Sequence, residues 1–324
     1  MGFPYQPRTN GGFPHKIDPM RNKLVLAVAL LALATFSAAA QQDFSKVEVK
    51  AEKIADGLWM LTGAGGNIGV SAGPDGVFLV DDQYAPLTDK IKAAIATVSD
   101  KPVRFVVNTH WHGDHVGGNE NLGKAGAVLV AHENVRKRMS KEQFIKLFNR
   151  TIPASAAAAL PLVTFAESLS FHLNGEDIDA IHVPPAHTDG DVVVFFHKAN
   201  VIHVGDLVFN GMYPVVDLSS GGSVDGMIGA ADRILAAGDA ATKIIPGHGP
   251  LATKADVKAF RDMLAASRDA IQPLVKAGKT LDQVKAAKPT AALDEKWGKG
   301  FIKPEVWTTV VYFSYGGKEP ESAK

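Results

Sequence analysis

Apolar runs and alternations from residue 46 to 250 set the order of predicted elements. From Lys46 to Asp81 the pattern is strand and tight turn. Val47, Val49 and Ala51 alternate with polar neighbours, and Leu58 to Leu61 forms a short apolar run. Asn67 to Ala72 leads through Gly73-Pro74-Asp75-Gly76 into Val77 to Val80, a spacing that predicts a hairpin. Leu87 to Val98 puts Leu87, Ile91, Ala94 and Ile95 on one helical face, and the β-branched run Val103 to Val107 predicts the next strand. Ala127 to Ala131 reads as a strand, Glu133 to Phe148 as a charged helix, and the Ala- and Pro-rich stretch 153–161 as a surface connection.

Leu169 to Leu173 and Ile178 to Val183 flank Asn174-Gly175, a dipeptide that favours the left-handed backbone of a two-residue hairpin turn. Val192 to Phe196, Val201 to Val204 and Lys243 to Ile245 predict further strands, with a helix at Val224 to Leu235. The carboxy-terminal part is helical. Val257, Phe260, Leu264 and Ile271 recur at helical spacing, Pro273 should kink or end that helix, and Thr280 with Gln283 forms a capping box for the next. Trp297, Phe301 and Trp307 are expected to pack this segment onto a sheet. Strands mixed with helices in this order predict an α/β layered architecture, a single domain over residues 41–324.

The amino terminus stands outside this pattern. Residues 1–19 are rich in Gly, Pro and polar groups and read as an over-extended start. Met20 then opens a basic stretch, an apolar run from Leu24 to Phe36, and a small-residue site ending at Ala40. Residues 20–40 have the form of a secretory signal peptide, with cleavage after Ala40, so a periplasmic or secreted location is expected. No stable membrane association should outlast its removal.

Hydrophobic residues make up 46% of the chain, ample for a buried core, and 34 basic residues balance 34 acidic ones. That balance leaves no field to recruit nucleic acid, and the expected partner is a small-molecule substrate. Oligomeric state is not legible in the sequence. Cysteine is absent. Any metal is therefore held by His, Asp or Glu.

Candidate ligands cluster directly after the strand at Val103 to Val107. His110, His112, Asp114 and His115 fall within six positions, and imidazole with carboxylate suits zinc and similar divalent ions. Three later candidates each follow a predicted strand: His187 in a Pro-Pro loop, Asp206 after Gly205, and His248 between Gly247 and Gly249. The other histidines separate by location. His172, His182 and His203 alternate with apolar residues inside strands and are expected in the core, while His132 and His197 are structural or solvated. Asp81 ends a strand where a carboxylate can orient a ligating imidazole. Seven ligands are enough for two metals, and a pair of metals is the arrangement of two-metal hydrolysis.

In order, Asp81, Thr109-His110-Trp111-His112-Gly113-Asp114-His115, His187, Gly205-Asp206 and Gly247-His248-Gly249 resemble the five motifs of the metallo-β-lactamase superfamily. The resemblance runs from about Lys46 to Pro250. It implies a four-layer αβ/βα sandwich with metals at one edge of two sheets. It assigns His110, His112 and His187 to one metal and Asp114, His115 and His248 to the other, with Asp206 bridging or completing the second site. It also implies two zinc ions, with iron or manganese open at the same ligands, and hydrolysis of a small carbonyl substrate by metal-activated water. Asp114 would orient that nucleophile.

Phe209 stands where cysteine-bearing lactamases of this family place a lysine, and Asp206 stands where they place the cysteine. Asp206 resembles instead the bridging aspartate of glyoxalase II. The expected function is a dinuclear zinc hydrolase acting on a β-lactam, lactone, ester or thioester. The alternatives are a hydroxyacylglutathione hydrolase-like thioesterase and an iron-dependent oxidoreductase similar to persulfide dioxygenases. Trp111, Tyr84, Phe209 and Tyr213 are candidates for the pocket wall.

Overall fold

The computed structural model describes residues 43–318, so the leader and its cleavage site lie outside the described residues. Strands β1 (Lys50–Ala55), β2 (Leu58–Thr62), β3 (Ile68–Gly73) and β4 (Gly76–Val80) follow one another as antiparallel neighbours. After helix α1 (Thr88–Ala96), β5 (Val103–Asn108) joins β4 in parallel. The short helices α2 (Gly113–Val116) and α3 (Asn119–Lys124) lead to β6 (Val128–His132), which is parallel to β5. Helix α4 (Glu133–Met139) and a separate hairpin, β7 (Gln143–Ile145) with β8 (Arg150–Ile152), precede β9 (Val163–Phe165). β9 completes a seven-stranded sheet in the order β1-β2-β3-β4-β5-β6-β9.

The second sheet begins with β10 (Ser168–Leu173) and β11 (Glu176–His182). They turn at Asn174 and Gly175, whose φ values of 57° and 71° are the left-handed pair that the dipeptide favours. β12 (Val192–Phe196) and β13 (Val201–His203) continue antiparallel, and β14 (Lys243–Ile245) returns parallel to β13 after helix α5 (Val224–Ala236). Helices α6 (Lys254–Lys276), α7 (Leu281–Ala286), α8 (Ala291–Trp297) and α9 (Pro304–Ser314) follow.

The two-residue period of a strand explains how these pieces stack. Phe78 and Val80 of β4 face the second sheet, meeting Ile178, Val192, Val194 and Phe196 in a core between the sheets. Val77 and Leu79 face the other way, against Leu87, Ile91 and Ile95 of the α1 region. With both faces buried, β4 reads as a continuous apolar run. On the far side, Val193, Ile202 and Ile244 pack against apolar faces of α5, α6 and α9. The layers therefore run helix, sheet, sheet, helix, the four-layer αβ/βα sandwich.

Several expectations need correction. The helix expected over Glu133 to Phe148 stops at Met139, because only Val135 and Met139 bury a helical face. Beyond it Gln143 bonds back to the Arg138 carbonyl, and Asn149 turns the β7–β8 hairpin at φ 47°. His172 is exposed and paired with Asp177 at 2.7 Å, whereas His203 is buried as expected. Phe301 is 72% exposed and does not pack on a sheet, while Trp297 and Trp307 do enter the core. Pro273 lies in the last turn of α6, which closes three residues later at Lys276. The capping box at Thr280 and Gln283 is present.

Phe78 is fully buried and meets the rings of Phe105, Phe171 and Phe196 at centroid distances of 6.5, 5.0 and 6.2 Å. Phe78→Ala should lower unfolding stability by about 3–5 kcal/mol, read from the midpoint of denaturant unfolding. A change below about 1 kcal/mol would show that the inter-sheet core does not depend on this ring.

Candidate metal centre

The candidate ligands meet at one edge of the sandwich because each follows a strand that ends there. β5 leads into His110 and His112, and α2 holds Asp114 and His115 within one turn. The β11–β12 loop carries His187, β13 leads into Asp206, and β14 leads into His248. All seven predicted side chains come together. The donor atoms of His110, His112, His187 and Asp206 lie within 4.8 Å of one another, and those of Asp114, His115 and His248 form a second such group.

Asp206 lies between the two groups and is not confined to the first. Its Oδ2 is 3.4 Å from His187 Nε2 and 3.8 Å from His110 Nε2. Its Oδ1 is 3.1 Å from His115 Nε2 and 3.3 Å from His248 Nε2. Asp114 Oδ2 adds 3.4 Å to His248 and 3.7 Å to His115.

The opposite nitrogen of four imidazoles is held by the protein, which fixes ring orientation. Asp81 Oδ2 lies 2.7 Å from His115 Nδ1 and accepts from Thr109 Oγ1 at the same distance. Thr109 Oγ1 is 3.1 Å from His110 Nδ1, so one carboxylate steadies two rings. Asp81 reaches this position from a left-handed backbone, φ 63°, uncommon outside glycine. His187 Nδ1 lies 2.8 Å from the Val215 carbonyl, and His112 Nε2 lies 3.1 Å from Asp217 Oδ2. Asp217 also accepts from Ser219 and Ser220, and Ser220 in turn accepts from Trp111 Nε1 at 3.1 Å.

Sequence reasoning did not single out Asp217. It sits in the Gly- and Ser-rich loop, 105 residues from its histidine, and the available signal was an acidic residue followed by two serines.

The donor set fits divalent metal ions. His110 Nε2, His115 Nε2 and Asp206 Oδ1 are buried without a hydrogen-bond partner and face the shared centre, a costly state for buried polar atoms unless a cation receives them. The charges of the cluster point the same way. Burial opposes ionisation of Asp206, but His115, His248, His187 and His110 overcome it and hold its carboxyl well below the usual range. Asp114 is likewise held at about 2, burial being outweighed by His115 and His248. Burial opposes the charged form of His248, yet Asp206 and Asp114 push its pKa up to about 9. His110 is driven well below its ordinary value by burial and by neighbouring histidines, leaving a neutral ligand-type nitrogen.

A family model of the metallo-beta-lactamase superfamily matches residues 61–248, more than half of the chain. The chain belongs to this superfamily. A curated superfamily relative, the metallo-beta-lactamase type 2 of Bacteroides fragilis, is 24% identical over 50% of this chain and 57% of its own length. The 2,4-dinitroanisole O-demethylase subunit alpha of Nocardioides sp. (strain JS1661) is 22% identical over 49% of this chain and 46% of its own. The chain thus spans about half the length of the curated relatives it matches. Among solved structures, a metallo-beta-lactamase from Pontibacter korlensis superposes with TM-score 0.56 at 20% identity, covering 67% of this chain and 99% of that one. The DIM-1 metallo-beta-lactamase gives TM-score 0.55 at 20% identity, over 68% and 99%. These likenesses carry the superfamily fold.

The pocket-wall candidates divide. Tyr213 is buried, stacked on Trp307 at 5.4 Å and bonded to Asp294, so it belongs to the core. Phe209 is also buried, but it stacks on His248 at 4.9 Å and forms the floor behind that ligand. Trp111 braces Ser220. Tyr84 lies beside Gly65, where a Cβ would approach both its ring and Asp114.

Three outcomes follow from this geometry. Asp217→Ala should keep the fold and weaken metal affinity by about 10- to 100-fold, measured by competition with a chelating dye. Unchanged affinity would remove Asp217 from the centre. In metal-free protein, the raised pKa of His248 means its charge stabilises the fold fully below about 6.5, the ordinary value, and that contribution is lost as pH rises through about 9. Thermal midpoints of the metal-free form should therefore fall across that window, and metal loading near pH 7 should release protons into weakly buffered solution.

Proposed function

We propose that the protein is a metal-dependent hydrolase that holds two zinc ions and acts on a small carbonyl compound, a β-lactam, lactone, ester or thioester. One observation carries this reading: the two oxygens of Asp206 are divided between two ligand groups, each otherwise complete with three side chains. A structural zinc site closes on four ligands, commonly with cysteine, whereas this set is larger and cysteine-free. His110, His112 and His187 would hold one ion, Asp114, His115 and His248 the other, with Asp206 between them.

Divalent ions at these ligands would supply Lewis acidity, lowering the pKa of water and polarising a carbonyl oxygen. The protein's own groups fit that chemistry. Asp114 is partly exposed, and its low pKa keeps it a carboxylate, able to accept and orient a proton of the attacking water. Tyr84 faces the same carboxylate field. Burial and then Asp114 push its pKa up to about 12, so its hydroxyl stays a donor. Asp81 and Asp217 hold His115 and His112 in one tautomer. The signal-like stretch at residues 20–40 supports an exported protein.

Purified protein should contain about two zinc ions per chain, and His112→Ala should lose metal and hydrolysis together across a panel of β-lactams, lactones, esters and thioesters. Full activity after exhaustive chelation would overturn the proposal. Iron with oxygen consumption would replace hydrolysis by redox chemistry at the same ligands.

A further inference from the structure

The connection from β2 to β3, residues 63–67, lies against the Asp114, His115 and His248 group. Gly66 N–H donates to the Asp114 carbonyl at 3.1 Å, and a Cβ at Gly65 would come within 2.9 Å of the Asp114 Cβ and carbonyl oxygen. Gly66 lies so close to His115 that a Cβ there would enter the imidazole. Asn67 N–H donates to the Gly247 carbonyl at 2.7 Å, and its side chain donates to the carbonyls of Pro246 and Gly249, so it grips the turn that carries His248. One short connection thus touches the chain at all three ligands of this group. Among the described residues it makes no hydrogen bond to His110, His112 or His187, which are braced instead by Thr109, Asp217 and the Val215 carbonyl.

Gln83 fastens this connection. Its Nε2 donates to the buried Gly66 carbonyl at 2.8 Å. Two features of Gln83 oppose stability. Its φ of 55° is left-handed, a backbone that disfavours a side chain of this size, and its Oε1 is buried without a hydrogen-bond partner. The residues just before it serve the same ligand group. Asp81 Oδ2 lies 2.7 Å from His115 Nδ1, and Asp82 N–H donates to the His115 carbonyl at 3.0 Å. Without the Gln83 amide, the Gly66 carbonyl loses its donor and is satisfied by moving toward water, which draws the Gly66 N–H away from Asp114.

We infer that Gln83 is a positioning residue for the Asp114, His115 and His248 ligand group: its amide seats residues 63–67 on that group and so sets how tightly the group holds a metal ion. The inference rests on the two-metal reading only in giving this group an ion of its own.

The test is removal of zinc from the loaded full chain by a competing chelating dye, run on the parent, Gln83→Met, Gly63→Ala and His248→Ala. Two release steps are expected of the parent, and the one that His248→Ala abolishes identifies the ion of this group. Gln83→Met should weaken that step by about tenfold and leave the other unchanged. Gly63→Ala, whose methyl would lie 2.7 Å from Gln83 Oε1 and displace the amide, should weaken the same step. Methionine fills the volume of glutamine without a buried polar end, so the thermal midpoint of metal-free Gln83→Met should fall by no more than about 4 °C. Where Gln83→Met does not fold, Gly63→Ala alone decides. An unchanged step, equal weakening of both steps, or a larger fall in midpoint alongside the weakening would each overturn the inference. A single release step in the parent would instead remove the two-metal reading. The positioning role would then stand if Gln83→Met weakens that step and fall if it does not.

Discussion

The Asp206 carboxylate, buried between two sets of histidines, is the constraint on which the site depends. One oxygen lies near His187 and His110, the other near His115 and His248, all within 3.8 Å, so three segments of chain must end around a single side chain. The backbone has been cleared to allow it. A Cβ at Gly247 would collide with Asp206 Oδ1, and one at Gly66 would enter the His115 ring. Asn67, immediately before β3, then ties the sheets together at this edge. Its amide side chain donates to the carbonyls of Pro246 and Gly249, both at 2.9 Å, its N–H donates to the Gly247 carbonyl at 2.7 Å, and its own carbonyl meets His203 Nε2. The relative placement of the two sheets and the geometry of the centre are thus set by the same bonds.

How much of this was legible depends on the range of the interactions involved. Strands buried on both faces announce themselves as apolar runs, and Asn174-Gly175 fixes its own turn, so β4, β5 and the β10–β11 hairpin could be read locally. The seven candidate ligands could also be read, because each stands at a strand end inside a short motif. Asp217 could not. Its importance comes from a contact made across 105 residues, and the two serines that follow Leu218 are too common a pattern beside an acid to single it out. The β7–β8 hairpin was hidden for a different reason. Arg136, Lys137, Arg138, Lys141 and Glu142 suit a solvated helix, and the choice of hairpin rests on the left-handed Asn149 and on tertiary contacts of Leu147 and Lys146. His172 was misplaced because alternation tells which residues share a face of a strand and not which face is covered.

Charge explains why so many acids surround a centre that also needs neutral histidines. Burial pushes the carboxyl of Asp82 well above its ordinary value and that of Asp191 up to about 7, even though both accept backbone hydrogen bonds. Neither is a strong source of negative charge near neutral pH. Four other carboxyl groups contact the ligand histidines directly: Asp114 and Asp206 inside the cluster, Asp81 and Asp217 behind it. Asp114, Asp206 and Asp217, all held below the usual carboxyl range, offset the charge of bound divalent metal while the histidines stay neutral, the state in which imidazole binds metal. Without metal the same field draws protons onto His115 and His248, whose pKa values it raises despite their burial. Protons and metal ions therefore compete for one negative field. A substitution that removes one of the four carboxyl groups should disturb the metal centre even where it touches no metal ligand's coordinating atom.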